Sequence, residues 1–539
     1  MSPRNKVPEL DRTDYVLALA VGIAGLAAYV RTLAPDVLYS DSAEFQTLAY
    51  TLGMTHSTGY PVYLLLARLL GYLPLGTLAW RVSLLSAVSA AVTLSAVFLL
   101  TRHLTRSRVG ALLGSLALGL SYTFWSQAII AEVYTPGLAF LSVIALLLWR
   151  WHSAHVKDGN NWGLLVAALL AGLSLGVHAF VPLIAPAAVV FVIWTLWSRR
   201  LPWREWRHAL IAVVLGLLLG IGIYLLAFLA IDLNNPPSSF YHVALQSSRS
   251  IWGLQATDLD SPFERMWATV TGLQWQDAMF PEVRDYIWEA LGYYIDRILN
   301  DEFTPILLLC GLLGLVVTRR SAPQLFSFSL IALITMMYFI LHYEPPDKYI
   351  FYLPTYIIVV LAIGAGAGFL LELAHRHLVA RRNRSYLVLY LPVVALLVLM
   401  VVRPFGVSRW HALRAGAATF VKEDYVYPLY DLEEPRRATS WRLKHLPDNA
   451  VLILGWRALY TMYYLAHVEQ ERTDITIMEA SPHGGGGRVA DTLIQELTDA
   501  LRDERPVFAD HVYGNLREHF RVQVALGGQW YRLKLLETD

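Results

Sequence analysis

Charge is the scarcest ingredient of this sequence of 539 residues, with Asp, Glu, Lys and Arg making up 16% of it. A soluble domain carries about 25% charged residues. With 56% of the chain hydrophobic, composition excludes an ordinary soluble globule and points to an integral membrane protein. An excess of either sign is missing too. The formal net charge is +1, which excludes a nucleic-acid partner held by bulk charge. Cysteine is almost absent: Cys310 is alone, cannot form an intramolecular disulfide, and reads as a small buried hydrophobe. A cleavage site is missing as well. The apolar stretch 15–33 follows Arg4, Lys6 and Arg12, but "RTLAPDV" offers no small-x-small signal, so an uncleaved first span is expected.

Long apolar runs are what the sequence has in plenty. Stretches able to cross about 30 Å of hydrocarbon recur at 15–33, 82–101, 109–125, 134–151, 162–178, 181–197, 209–230, 305–318, 324–341, 349–371 and 386–402. A polytopic α-helical membrane protein of about eleven spans is therefore expected. "GVHAFVP", with His178 and Pro182, divides two short helices. Arginines gather on one side of this threading, at Arg102, Arg106 and Arg108, at Arg199, Arg200, Arg204 and Arg207, at Arg319 and Arg320, and at Arg376, Arg381, Arg382 and Arg384. The short connections on the other side hold one Lys or Arg, Lys348. The positive-inside rule then places the N-terminus in the cytoplasm, and an odd number of spans places the C-terminus outside, as expected of a multi-pass protein of the inner (plasma) membrane.

Three segments fall outside under this threading. Loop 34–81 is punctuated by Pro and Gly and reads as short helices in the interface, and loop 231–304, rich in Trp, Tyr and acids, reads as amphipathic surface helices. The division expected is 1–403, a membrane domain, and 404–539, a small extracytoplasmic α/β domain. In the latter, "NAVLILGW", "ALYTMYYLAHVEQ" and "DITIMEA" make a βαβ unit, followed by a helix in "RVADTLIQELTDALRDE" and a strand in "RPVFADHVY". "PHGGGG" departs from G-x-G-x-x-G and has no Lys-Ser/Thr pair after it, so a flexible surface loop is the better reading.

Acids at the outer ends of spans need a reason. Asp41 and Glu44 in "DSAEF" can share one face of a helical turn, and Glu132 occupies a very short outer turn. Two readings remain open from these residues alone. Either Asp41 or Ser42 caps an interfacial helix with Glu44 closing a capping box, or the acids form a site.

The text around them is distinctive: "DSAEF", then "LGMTHSTGYP", then "RVSLLS". It resembles the first-loop signature of a family of GT-C membrane glycosyltransferases, among them bacterial proteins long of unknown function and the related animal transmembrane O-mannosyltransferases. Asp41, Glu44, Phe45, Leu52, Gly53, His56, Gly59, Tyr60, Pro61, Arg81, Val82, Leu84, Leu85 and Ser86 match its pattern. Ala43 stands where Gly is common, Ser83 where Asn is, and "HSTGYP" where "HPPGYP" is. "FWSQAIIAEVYT" with Glu132 resembles a second-loop signature, "GLSLGVHAF" with His178 a further segment, and "YEPPDKYIFYLPTY" a late loop with an acid ahead of "FYLP".

This resemblance implies a GT-C-like fold and an inverting transfer of a sugar, mannose favoured, from a polyprenyl-phosphate donor to a protein or glycan hydroxyl at the outer face. It also implies Asp41 as general base, with Glu44 and Glu132 as companions in the site. The leaving phosphate needs a cation. Lys348, Arg249 and Arg81 are candidates that the sequence does not separate, and His56, Tyr60 and His178 are candidates for binding sugar or phosphate. No cofactor is required on this reading, although some GT-C enzymes use a divalent cation; the one Asp-x-Asp in the outer loops, Asp258 and Asp260, is a weak match. The rival expectation is a membrane transporter or flippase, which favours inverted repeats and acids near mid-span.

Overall fold

The computed structural model describes residues 10–536 except 106, 159, 256, 281–283, 380–393, 395–397, 399–407, 418–430 and 483–486. Its first helix, α1 (Arg12–Arg31), starts in a capping box of Asp11 and Asp14. Two interfacial-length helices follow, α2 (Ser40–Thr51) and α3 (Pro61–Gly71), and then the long α4 (Leu78–Leu104). Next come α5 (Arg108–Leu120), α6 (Tyr122–Ala128), α7 (Tyr134–Asp158), α8 (Trp162–Leu173), α9 (Ala185–Ser198) and α10 (Trp203–Asn234). The membrane part continues with α11 (Pro262–Val270), α12 (Arg284–Asp296), α13 (Pro305–Ser321), α14 (Pro323–Leu341), α15 (Lys348–Phe351) and α16 (Leu353–Val379).

Among the described residues seven helices are long and apolar enough to cross a membrane, or nine if each of two bent pairs is one span. The chain is thus a multi-pass α-helical membrane protein. The count of eleven included 386–402, of which only residues 394 and 398 are described, and 162–178, whose α-helix stops at Leu173. Two bends shape the bundle. The stretch expected as one span at 109–125 turns by 68° between α5 and α6, and the end of the 231–304 loop forms a helix, Tyr286–Glu302, that meets α13 at 112°. The two bends share a brace: the buried Glu302 accepts from the Thr123 backbone N–H (3.0 Å) and hydroxyl, satisfying an amide at the start of α6 that no helical carbonyl reaches.

Small residues set the helix packing. In "IGAGAGF" the glycines 364 and 368 face α5, while Gly366 faces α13; a Cβ on Gly366 would lie 1.9 Å from the Cys310 carbonyl oxygen. At the opposite end of the bundle from the sheet described next, the fully buried Asp14 accepts from Arg102 (3.0 Å) and Arg108 (2.8 Å), which ties α1 to α4 and α5. Burying that carboxylate is tolerable because two guanidinium groups meet it.

The C-terminal part is a five-stranded sheet with helices α17 (Glu434–Lys444), α18 (Trp456–Tyr463) and α19 (Asp491–Arg502). Its strands are β1 (Val451–Leu454), β2 (Thr476–Glu479), β3 (Val507–Ala509), β4 (Phe520–Ala525) and β5 (Trp530–Leu535), in the order β2-β1-β3-β5-β4. β1 pairs in parallel with β2 and β3, and "VLIL" is buried along its whole length, as a central parallel strand requires. β4 and β5 form an antiparallel hairpin on β3 that the sequence reading did not include. The sheet is docked onto the first loop. Thr461 donates to the Leu38 carbonyl (2.6 Å), Thr47 to that of Tyr460 (3.2 Å), and Arg436 joins Asp36 (2.7 Å) to Glu469 (2.6 Å).

Candidate active site

The turn between α2 and α3 builds the first wall of the site. Leu52 ends α2 in the left-handed region (φ 53°), and Gly59 reverses the chain at φ 86°, where a Cβ would press on Thr269 and Met54. Pro61 then opens α3. This fold-back brings His56 onto Glu44: the fully buried carboxylate accepts from the His56 backbone N–H at 2.8 Å and lies 2.5 Å from its Nδ1. The capping alternative is not what the fold uses. The N-cap of α2 is Tyr39, no side chain caps the helix, and Glu44 is committed to His56.

Asp41 sits at the lip of a cleft of about 370 Å³. Its Oδ1 accepts from the Trp456 indole N–H (2.6 Å) and the Ser40 hydroxyl (2.9 Å), and Oδ2 has no protein partner among the described residues. Glu132, 8% exposed, lines the same cleft; its backbone is pinned by Ser86, whose hydroxyl both accepts from the Glu132 N–H and donates to its carbonyl. Asp347, from the connection between α14 and α16, completes the wall and accepts from the Tyr134 hydroxyl (3.1 Å). Tyr60 and His56 line it too, whereas His178 stands one layer back, stacked on Tyr60 and packed against Tyr134 and Phe180.

The electrostatics follow from burial. Desolvation raises the Glu132 carboxyl well above its ordinary value, with Asp41 and Asp347 adding to the effect. Burial and the nearby Asp41 push Asp347 up to about 6. Burial opposes a charge on His56, yet the Glu44 carboxylate against its ring, with Asp41 and Asp347 beyond, raises it to about 9. His56 is therefore an imidazolium at neutral pH, one positive charge among several acids. Buried against aromatic rings, His178 is lowered to about 3 and stays neutral.

The three expected cations take no part in the wall. Arg81 donates to the carbonyls of Thr77 and Leu73, Arg249 to that of Gln246, and Lys348 to the Tyr286 hydroxyl, over whose ring it lies at 4.1 Å. Glu44 also stands behind His56 rather than in the wall. Among the described residues the one Lys or Arg lining the cleft is Arg457, next to Trp456. That residue, Trp456, Asp347 and Glu479 were missing from the expected set. "YEPPDKY" placed an acid in the right loop, but nothing local marks Trp456 or Glu479 as neighbours of Asp41. Among the described residues no three His, Cys, Asp or Glu side chains are placed to hold a metal ion.

Comparison with known proteins agrees with the first-loop resemblance. Residues 41–201, beginning at Asp41 itself, match the family model described as the Protein O-mannosyl-transferase TMEM260 N-terminal domain. The mouse Protein O-mannosyl-transferase TMEM260 is 30% identical over 241 residues, which cover 44% of this chain and 32% of that protein. The match thus spans about a third of that relative's length. The crystal structure of ArnT from Cupriavidus metallidurans bound to undecaprenyl phosphate superposes with a TM-score of 0.52 at 13% identity, over 96% of this chain and 97% of that one. The oligosaccharyltransferase of Archaeoglobus fulgidus, solved with Zn and sulfate, superposes at 0.50 and 13% identity, over 92% of this chain and 68% of that one. The fold is accordingly GT-C-like, with a small C-terminal sheet.

Proposed function

We propose that this chain is an inverting glycosyltransferase that moves a sugar, mannose favoured, from a polyprenyl-phosphate carrier to a hydroxyl acceptor, a protein Ser or Thr side chain. The observation that carries the reading is Asp41 at the lip of the cleft, with one carboxylate oxygen held by Trp456 and the other without a partner among the described residues. An attacking hydroxyl must lose its proton as the new bond forms, and a carboxylate positioned by one oxygen can receive it on the other. The acceptor oxygen bonds to the anomeric carbon while the bond from that carbon to the phosphate oxygen breaks. The electron pair departs with the phosphate, and the proton rests on Asp41.

Charge gathering on the phosphate calls for a positive group in a site shielded from water. The imidazolium of His56, kept charged by Glu44, supplies one in the cleft wall. Glu132, whose carboxyl burial raises well above its ordinary value, and Tyr60 offer hydrogen bonds to sugar hydroxyls. No step needs a metal on this reading, and turnover should persist in EDTA. The chain works in the inner (plasma) membrane with the cleft on the outer side. The similarity to ArnT, whose crystal structure holds undecaprenyl phosphate, supports a lipid-linked donor. No observation favours a transporter, since the acids of the cleft stand at one end of the bundle.

The test is to incubate the purified protein with a panel of labelled polyprenyl-phosphate sugars and a Ser/Thr-containing peptide, with and without EDTA. Label should pass from the mannose carrier to the peptide. A protein that binds the carriers but transfers no sugar from any of them would overturn the reading.

A further inference from the structure

Glu479 is the last residue of β2, at the end where all three parallel strands of the sheet stop. Ligands of open α/β sheets gather beyond these carboxyl ends. Asp510, just past β3, is already engaged, accepting from the Gly455 N–H (3.2 Å) and the Tyr513 hydroxyl (2.7 Å). Glu479 is not. It is 4% exposed and lines the cleft, yet its Oε2 is buried with no hydrogen-bond partner among the described residues. Buried polar atoms are almost always partnered, so an orphan on a cleft wall points to a partner brought by the ligand.

The surroundings define what that ligand can be. The titratable groups that face Glu479 are Asp41, Glu44 and His56 of the first loop, Tyr460 of α18, and Tyr513 after β3. Burial first, and then the neighbouring Glu44 and Asp41, push its carboxyl up to about 8, so at neutral pH it keeps its proton and can donate a hydrogen bond. Direction matters as well. A polyprenyl tail stays among the membrane helices, so the donor sugar reaches the cleft from the side of Tyr134, Glu132 and Asp347. An inverting displacement is in line, and the acceptor therefore approaches from the opposite side, where the sheet stands.

We propose that Glu479 is the residue by which the C-terminal sheet recognises the acceptor, hydrogen-bonding an uncharged polar group beside the hydroxyl to be glycosylated. This rests on the transferase reading above. The acceptors that fit are neutral next to that hydroxyl, because a carboxylate there would face the Asp41 carboxylate beside Glu479.

The experiment is steady-state transfer from undecaprenyl-phosphate mannose to a neutral Ser/Thr peptide, with donor and acceptor varied separately. Glu479→Ala should raise the acceptor KM by about tenfold, the loss expected for one hydrogen bond to a buried partner, and leave the donor KM unchanged. Glu479→Gln, which keeps a hydrogen-bonding head, should recover most of that loss. The unmutated protein should lose acceptor affinity as pH rises through about 8, and Glu479→Gln should not. A rise confined to the donor KM, or no change in either, would overturn the assignment while leaving the transferase reading standing. If the Ala variant does not fold, the pH comparison decides: an alkaline loss that persists in Glu479→Gln overturns it. Absence of transfer by the unmutated chain would sink the transferase reading instead.

Discussion

Asp41 meets the cleft with one oxygen already occupied, which separates holding the carboxylate from using it. Asp41→Asn keeps the shape and can still accept from Trp456, but it cannot take a proton. Transfer should fall by about 10²–10⁴-fold while binding of the lipid-linked sugar is retained; near-normal turnover would pass the base role to Glu132. A second expectation concerns pH. His56 (about 9 against 6.5), Glu479 (about 8 against 4.5) and Asp347 (about 6 against 3.8) all bind protons more tightly in the folded chain than their ordinary values allow. A raised pKa contributes stability that is complete below the unfolded value and lost as pH climbs through the folded one. The melting temperature in detergent should therefore decline from about pH 4 to pH 9. Glu44→Gln should flatten the portion between about 6.5 and 9, because a neutral amide no longer holds the imidazolium. A melting temperature that climbs over that interval would contradict the assignment.

At the scale of elements, the glycines of α16 make a sharp contrast with those that face lipid. Gly366→Leu would drive its Cβ into the Cys310 carbonyl of α13, whereas among the described residues nothing lies within 4 Å of a Cβ on Gly222 of α10. Overpacking typically costs about 1–3 kcal/mol, and a backbone clash leaves less room to relax than that. Gly366→Leu should fail to give a monodisperse protein on size exclusion, and Gly222→Leu should behave like the parent. Elements of this kind were largely legible in the sequence. The apolar runs marked the helices, Pro61 and Gly59 marked the turn after α2, and "NAVLILGW" marked the central strand. The bend between α5 and α6 was not legible, because the carboxylate that braces it, Glu302, stands 179 residues away. The hairpin of β4 and β5 alternates in "FRVQVA" and "WYRLKL", a signal that was present and unread. Of the cleft wall, Asp41 and Glu132 stand in distinctive local text, whereas Glu44 of the same text stands behind His56. The cationic candidates were not legible, since Arg81 and Arg249 bond to nearby carbonyls and Lys348 to Tyr286, 62 residues away, none of which charge alone reveals.

At the scale of the whole molecule, the one-sided arginines predict an orientation. An alkaline phosphatase fused after Asp539 should be active and a green fluorescent protein there dark, with the reverse at the N-terminus; the opposite result would invert the proposed sidedness. The contact between Trp456 and Asp41 joins positions 415 residues apart, and this separation has a meaning in time. A ribosome adds about 5–20 residues per second, so some 20–80 s pass between synthesis of the first loop and arrival of the indole that holds its carboxylate. During that interval the membrane helices are inserted one after another while the cleft still lacks a roof. A nascent chain, or one cut short before residue 456, carries the acids without the group that orients them. On this reading competence waits for a chain translated past residue 456.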